Sequence, residues 1–310
     1  MVIQYPSPLQ RGARIGLIAP SGAVRMEGAL DRAIAAVAKE GFTPVIGESC
    51  GKVYGYLSGP DDIRACDINA MFTDDTIDGI FCIRGGYGTP RLLEMLDYDA
   101  IRGNPKPFLG YSDITGLHAA LLTHCALQTF HGPMPAYDWI HEEAYDPRTM
   151  QHMRRMLMSP IDGVIENFEG FPTQCITPGR AEGRLVGGNL TLLSGLCGTP
   201  WMPDVRGAII FLEDIGEKTY RLDHMLAQLR SVGVFNQCAG VVLGQFTDCP
   251  VEHERFGLDL SAVVNDLIVP AGKPVLMGLQ AGHCKPTLTL PLGAWCSMDA
   301  GAGLLDIRRI

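Results

Sequence analysis

Between Arg14 and Leu121 the chain repeats one pattern: a short apolar run, a turn of glycine, serine or aspartate, then apolar residues at helical spacing. Arg14-Ile15-Gly16-Leu17-Ile18-Ala19-Pro20 reads as a buried strand closed by Ser21-Gly22, and Leu30, Ile34 and Val37 mark the inner face of the helix that follows, ending at Gly41. Thr43–Ile46 is a second strand. Gly59-Pro60-Asp61-Asp62 opens a helix with Ile63, Cys66 and Ala70 on one face. Asp78–Ile83 is a strand ending in Arg84-Gly85-Gly86-Tyr87-Gly88, with a helix expected from about Pro90. The run Pro107–Gly110 then leads through Tyr111-Ser112-Asp113 into another helix. Strands alternating with helices demand right-handed crossovers and a parallel sheet, and ligands of such sheets gather at the carboxyl ends of the strands. Both the Arg84–Gly88 turn and Ser112 fall at such ends.

Beyond residue 140 the pattern loosens. His141-Glu142-Glu143 reads as a solvated helix start, and a Met-rich helix spans Met150–Met158. Pro160, Gly163, Gly170, Pro172, Pro178 and Gly179 follow. This places an N-terminal α/β domain at 1–150, a linker at 151–180 and a C-terminal domain at 181–310. In the latter, Gly207–Glu213, Ala239–Phe246 and Pro274–Leu279 read as strands and Arg221–Ser231 as a helix. Thr287–Leu290 with Ala294–Met298 is a candidate hairpin. A net charge of −9 argues against nucleic acid as the main partner. No apolar run approaches the length of a membrane span, and the first twenty residues lack a basic start before a long apolar stretch. Ten cysteines without a Cys-x-x-Cys pair read as reduced thiols of a cytoplasmic protein, with Cys66, Cys82, Cys125, Cys197 and Cys238 in apolar or helical contexts.

Ser112 is the candidate nucleophile, because a serine on a strand-to-helix turn is pushed out of the backbone beside N–H groups that face an anion. Serine needs a base, and the base an orienting acid. His283, in the glycine-flanked turn Ala281-Gly282-His283-Cys284 after a buried strand, is the first choice of base. His131 is the second; His118 and His124 sit on the helix after Ser112 as packing residues. Glu213 and Asp214 both follow the strand Ile209–Leu212, and either suits the acid. The Gly-rich turn lets backbone approach a ligand closely but is neither a P-loop nor a complete G-x-G-x-x-G. No ligand spacing points to a metal.

These segments together resemble the LD-carboxypeptidase family of serine peptidases, the muramoyltetrapeptide carboxypeptidase group. The likeness runs through Ile15–Gly22, Ile83–Gly88, Gly110–Thr115, Gly187–Leu193, Phe211–Asp214, Tyr220–Asp223, Gly282-His283 and Thr289–Gly293. Cys284, Thr219 and His224 depart from the family's commonest glycine, proline and arginine. The resemblance implies a flavodoxin-like (class I glutamine amidotransferase-like) N-terminal domain and a mainly β C-terminal domain. It implies a triad of Ser112, His283 and Glu213, with nucleophile and base on different domains, and an oxyanion hole from the backbone N–H groups of Asp113 and Gly86. The implied reaction releases terminal D-alanine from murein tetrapeptides in the cytoplasm, by a homodimer without metal or cofactor. Arg84 is a candidate for the substrate carboxylate, with a structural salt bridge as the alternative. Some family members instead hydrolyse peptidyl-adenylate antibiotics and give self-immunity. A flavodoxin-like binding module without catalysis is the remaining reading.

Overall fold

The computed structural model describes residues 2–141, 143–251 and 256–308. The chain divides into two compact units. The first runs to Pro160 and includes Thr289–Pro291; the second holds Ile161–Leu288 and the residues from Leu292 onward.

The first unit alternates β1 (Arg14–Ile18), α1 (Ala29–Lys39), β2 (Thr43–Ile46), α2 (Asp61–Thr73), β3 (Gly79–Cys82), α3 (Tyr98–Gly103), β4 (Phe108–Gly110), α4 (Thr115–Cys125), β5 (Thr129–His131) and α5 (Pro147–Met158). β1 pairs in parallel with β2 and β3, β3 with β4, and β4 with β5. The order 2-1-3-4-5 is that of a flavodoxin-like sheet, and its switch point lies between β1 and β3. Ile15, Leu17, Ile80, Phe81, Phe108 and Leu109 are fully buried, as a parallel sheet covered on both faces requires.

The second unit contains β6 (Gly163–Ile165), β7 (Gln174–Thr177), β8 (Arg180–Asn189), α6 (Leu190–Gly195), β9 (Ile209–Ile215), α7 (Thr219–Ser231), α8 (Val234–Gln237), β10 (Gly240–Thr247), α9 (Leu260–Leu267) and β11 (Val275–Met277). After β12 (Leu290–Leu292), the chain adds β13 (Trp295–Asp299) and β14 (Leu304–Arg308). Its sheet runs β6-β14-β13-β8-β9-β10-β11-β7. β8, β9, β10 and β11 are parallel, with antiparallel strands on both flanks.

Several expectations need correction. The inner face of α1 is Ala29, Ala33 and Val37; Leu30 and Ile34 are half-buried, because the small alanines let the helix sit close. On α2, Cys66 and Ala70 face outward while Arg64 and Asp67 turn inward. Each buried polar group serves loop backbone that would otherwise lose its partners. Arg64 donates to the carbonyls of Pro20, Gly59 and Gly88, and Asp67 accepts from the N–H groups of Glu48 and Ser49. Where one helix was expected from Pro90, two short 3₁₀ turns precede α3, whose start is capped by Asp97. Glu142 lies outside the described residues; the helix there starts at Pro147, capped by Asp146, and buries Met150, Met153, Met156 and Leu157. The stretch from 151 to 180 carries the rest of α5 and the strands β6 and β7. The candidate hairpin is not formed: β12 joins the first unit's sheet beside β5, and β13 pairs with β14 and β8. Of the five cysteines singled out, Cys82, Cys125 and Cys238 are buried, Cys197 is half-buried and Cys66 is exposed.

Two histidines are kept neutral by burial. His118, whose Nε2 meets the Gly110 carbonyl at 2.8 Å, is pushed down to about 3, and His152, whose Nδ1 accepts from the Thr289 N–H at 3.0 Å, to about 4. Both values lie below that of an unfolded histidine, so the folded state refuses protons that the unfolded chain takes up. Stability is therefore fully present above about pH 6.5 and falls as the pH drops toward these folded values. Two such groups cost about 2–3 kcal/mol per pH unit in this window. Denaturant melts at pH 7, 6 and 5 are expected to show this fall, and His152→Gln to remove close to half of it; an unchanged slope in the variant would refute the assignment.

Candidate active site

β4 delivers the chain to the serine turn. Tyr111 is extended (φ −153°, ψ −170°), and Ser112 then takes φ 64° before a 3₁₀ turn over Ser112–Ile114 and helix α4. A non-glycine residue in this left-handed region costs about 1–2 kcal/mol and persists where its surroundings over-determine it. Those surroundings are tight. A Cβ on Gly110 would lie 3.0 Å from the Ile114 side chain and 3.1 Å from Cys82 Cβ. One on Gly85 would lie 2.9 Å from Ser112 Cβ and 3.1 Å from its Oγ. The turn after β3 therefore rests directly on the serine, and only glycine at 85 permits it.

Asp113 fastens these turns together. Its buried Oδ2 accepts from Ser21 Oγ at 2.5 Å and from the Thr89 N–H at 2.9 Å, and Thr89 Oγ1 donates to the Asp113 carbonyl at 2.5 Å. Burial raises the carboxyl pKa and these hydrogen bonds oppose the rise. The loop after β1, the Gly-rich turn and the serine turn are thus tied at one carboxyl group, and Arg64 adds a second tie through Pro20 and Gly88. Gly86 is exposed with φ 117°. Among the described residues, neither its N–H nor that of Asp113 donates to a protein acceptor. Oxyanion holes are built from backbone N–H groups that no protein acceptor takes up.

In the second unit, Glu213 projects from β9 and is fully buried, and the His283 side chain is 12% exposed. Glu213 Oε2 receives the His283 backbone N–H at 3.1 Å and lies 2.7 Å from His283 Nδ1. A carboxylate on Nδ1 holds the proton there and makes Nε2 the basic nitrogen. The approach depends on Gly282, at φ 105°: a Cβ there would fall 2.4 Å from Glu213 Oε2 and 2.7 Å from its Cβ. The histidine turn is braced by Thr247 Oγ1 donating to the His283 carbonyl and Thr287 Oγ1 donating to that of Gly282 at 3.1 Å.

Strand alternation points Glu213 and Asp214 to opposite faces, and Glu213 is the one that meets His283. Asp214 accepts from Asn189 Nδ2, from Thr191 N–H and Oγ1, and from the Ile215 N–H, at 2.8–2.9 Å; it anchors the start of α6. Burial pushes its pKa up. The other candidate histidines, His118, His124 and His131, are packed within the first unit. His118 and His131 are 1% exposed, His131 against Tyr111 with ring centres 5.8 Å apart, and His124 lies 4.5 Å from the Tyr98 ring. Cys284, half-buried, donates from Sγ to the Pro286 carbonyl at 3.3 Å. Sequence reasoning missed Ser21, Thr89 and Arg64 as supports of the serine turn. The one signal for Ser21 was its place at the end of β1, beside the same sheet edge as Ser112.

The family model for the LD-carboxypeptidase N-terminal domain matches residues 15–132, and that for the LD-carboxypeptidase C-terminal domain matches residues 182–298. The probable murein peptide carboxypeptidase of Bacillus subtilis is 39% identical over 295 residues, covering 95% of this chain and 91% of the relative. The structure of MccF in complex with glutamyl sulfamoyl guanosine gives a TM-score of 0.90 at 27% identity, with 98% of each chain covered. The muramoyltetrapeptide carboxypeptidase of Oxalobacter formigenes gives 0.83 at 33% identity, with 96% of this chain and 99% of that chain covered. The serine turn falls inside the first matched segment and the Glu213–His283 pair inside the second, so both halves point the same way: the chain belongs to the LD-carboxypeptidase family.

Proposed function

We propose that this protein is a serine carboxypeptidase that releases terminal D-alanine from murein tetrapeptides in the cytoplasm. The single observation that carries the mechanism is the 2.7 Å contact between Glu213 and His283 Nδ1, which prepares Nε2 as a general base for a serine held at positive φ. In this reading Ser112 Oγ attacks the carbonyl carbon of the diamino acid residue while His283 Nε2 takes the hydroxyl proton. The N–H groups of Gly86 and Asp113 receive the oxyanion. The C–N bond then breaks, and the proton passes from His283 to the departing amine of D-alanine. Water, deprotonated by the same histidine, hydrolyses the acyl-serine. Glu213 holds the imidazole and stabilises its charged form. The substrate is supported by relatives named for murein peptides and muramoyltetrapeptides.

A second reading keeps the same residues and changes the substrate to a peptidyl-adenylate. The likeness to MccF, whose complexes hold glutamyl sulfamoyl guanosine and aspartyl sulfamoyl adenosine, favours it. Incubation with a disaccharide tetrapeptide, followed by mass spectrometry, separates the two. D-alanine release by the wild type is the expected outcome. Absence of release, with cleavage of an aminoacyl sulfamoyl or phosphoramidate nucleotide instead, would replace the first reading by the second.

A further inference from the structure

The switch point of the first unit's sheet carries an open pocket of about 450 Å³, lined by Gly22, Arg25, Tyr56, Arg84, Gly86 and Tyr87. It is built by the loops after β1 and β2 and the turn after β3, at the end of the sheet where open α/β folds bind their ligands. Backbone hydrogen bonds stitch its walls together: Gly22 N–H to the Gly85 carbonyl at 3.0 Å, Ala23 N–H to Tyr56 at 3.2 Å and Ser58 N–H to Ser21 at 2.9 Å. The rings of Tyr56 and Tyr87 meet edge to face at 5.7 Å. The pocket is therefore preformed within this unit.

Its charge is unbalanced. Arg84 donates from Nη1 to the Ala23 carbonyl, and Arg25 from Nη2 to the Gly55 carbonyl at 2.6 Å. Neither forms an ion pair with a carboxylate among the described residues. By contrast, the pocket's neighbour Arg91 and the buried Arg64 both pair with Asp61. Two unpaired guanidinium groups in a chain of net charge −9 are a recognition device for an anion, and the planar guanidinium suits a carboxylate. The position also fits. Gly86 lines the pocket and Gly85 rests on Ser112. In a carboxypeptidase the free carboxylate follows the attacked carbonyl by one residue, roughly 4 Å along the chain.

We propose that Arg84 and Arg25 hold the free carboxylate of the residue that is released, so that the Gly-rich turn supplies both the oxyanion donor and the exopeptidase specificity. This rests on the carboxypeptidase reading above. The test uses the Ser112→Ala protein and two ligands, a murein tetrapeptide with a free terminal carboxylate and its C-terminal carboxamide, with affinities measured by calorimetry. The acid is expected to bind about 10- to 100-fold more tightly, the span that charge-assisted hydrogen bonds command. Adding Arg84→Gln is expected to abolish the preference while leaving carboxamide binding within about threefold. The exposed Arg25→Gln change, which breaks no ion pair, is expected to reduce the preference in the same sense. Equal binding of acid and amide, or an equal loss of both in the Arg84 variant, overturns the proposal. If the wild type still releases D-alanine, only this proposal falls; if neither ligand binds and no D-alanine is released, the carboxypeptidase reading falls with it.

Discussion

Replacing Ser112 by alanine is expected to lower kcat for D-alanine release by about four to six orders of magnitude, and His283→Ala to do the same. The informative variant is the double one. If Ser112 and His283 act as one unit, the second substitution removes nothing that the first left behind, and the double variant matches either single variant within about tenfold. Single-turnover rates at saturating tetrapeptide measure all three. Losses that multiply would show two independent contributions and would refute the triad. In this reading the residual rate in each variant is expected to report what substrate binding and the Gly86 and Asp113 N–H groups supply alone.

Gly282→Ala is the second substitution with a large expected effect, and it touches no reacting atom. Its methyl group would stand 2.4 Å from Glu213 Oε2 and 2.7 Å from Glu213 Cβ and Cγ, on a backbone with φ 105°. Either the histidine turn lifts away from β9 or Glu213 swings out; both break the 2.7 Å contact to His283 Nδ1. We expect kcat to fall by about 10²–10⁴ through loss of the correct tautomer, with KM little changed. Stability should fall by about 2–4 kcal/mol. Gly272→Ala is the control. It also has positive φ, 67°, but an added Cβ meets nothing within 4 Å, so it should cost only about 1 kcal/mol and leave kcat unaltered. Equal effects of the two substitutions on kcat would remove the special role assigned to Gly282.

Strands β1 to β4 were legible because their apolar runs are short and lead into glycine or serine, whereas the three residues of β5 were not read as a strand. Ser112 was legible for the same reason. The face of α2 was not, because Arg64 and Asp67 look like surface residues until the loops they serve are folded beside them. Asp113 entered the sequence reading only as a backbone donor. That its side chain ties Ser21 to Thr89 depends on three segments whose adjacency no local pattern encodes. Glu213 and Asp214 were indistinguishable as letters, and the pleat of β9 separates them. Gly282 could be read as a turn glycine, but its contact with a carboxylate 69 positions earlier is a property of the folded unit. The destination of β12 was hidden in the same way: three apolar residues pair as readily with a following strand as with a distant sheet, and here the distant sheet takes them.

That last feature has a consequence during synthesis. The first unit has nearly all its residues by Pro160, yet the edge beside β5 is closed by β12, and His152 receives the Thr289 N–H. While the ribosome makes the intervening stretch of chain, β5 presents an open row of backbone donors and acceptors, the kind of edge that recruits strands from other molecules. A nascent chain stalled before residue 289 would carry this exposed edge, and the first unit completes its sheet only once β12 has been made.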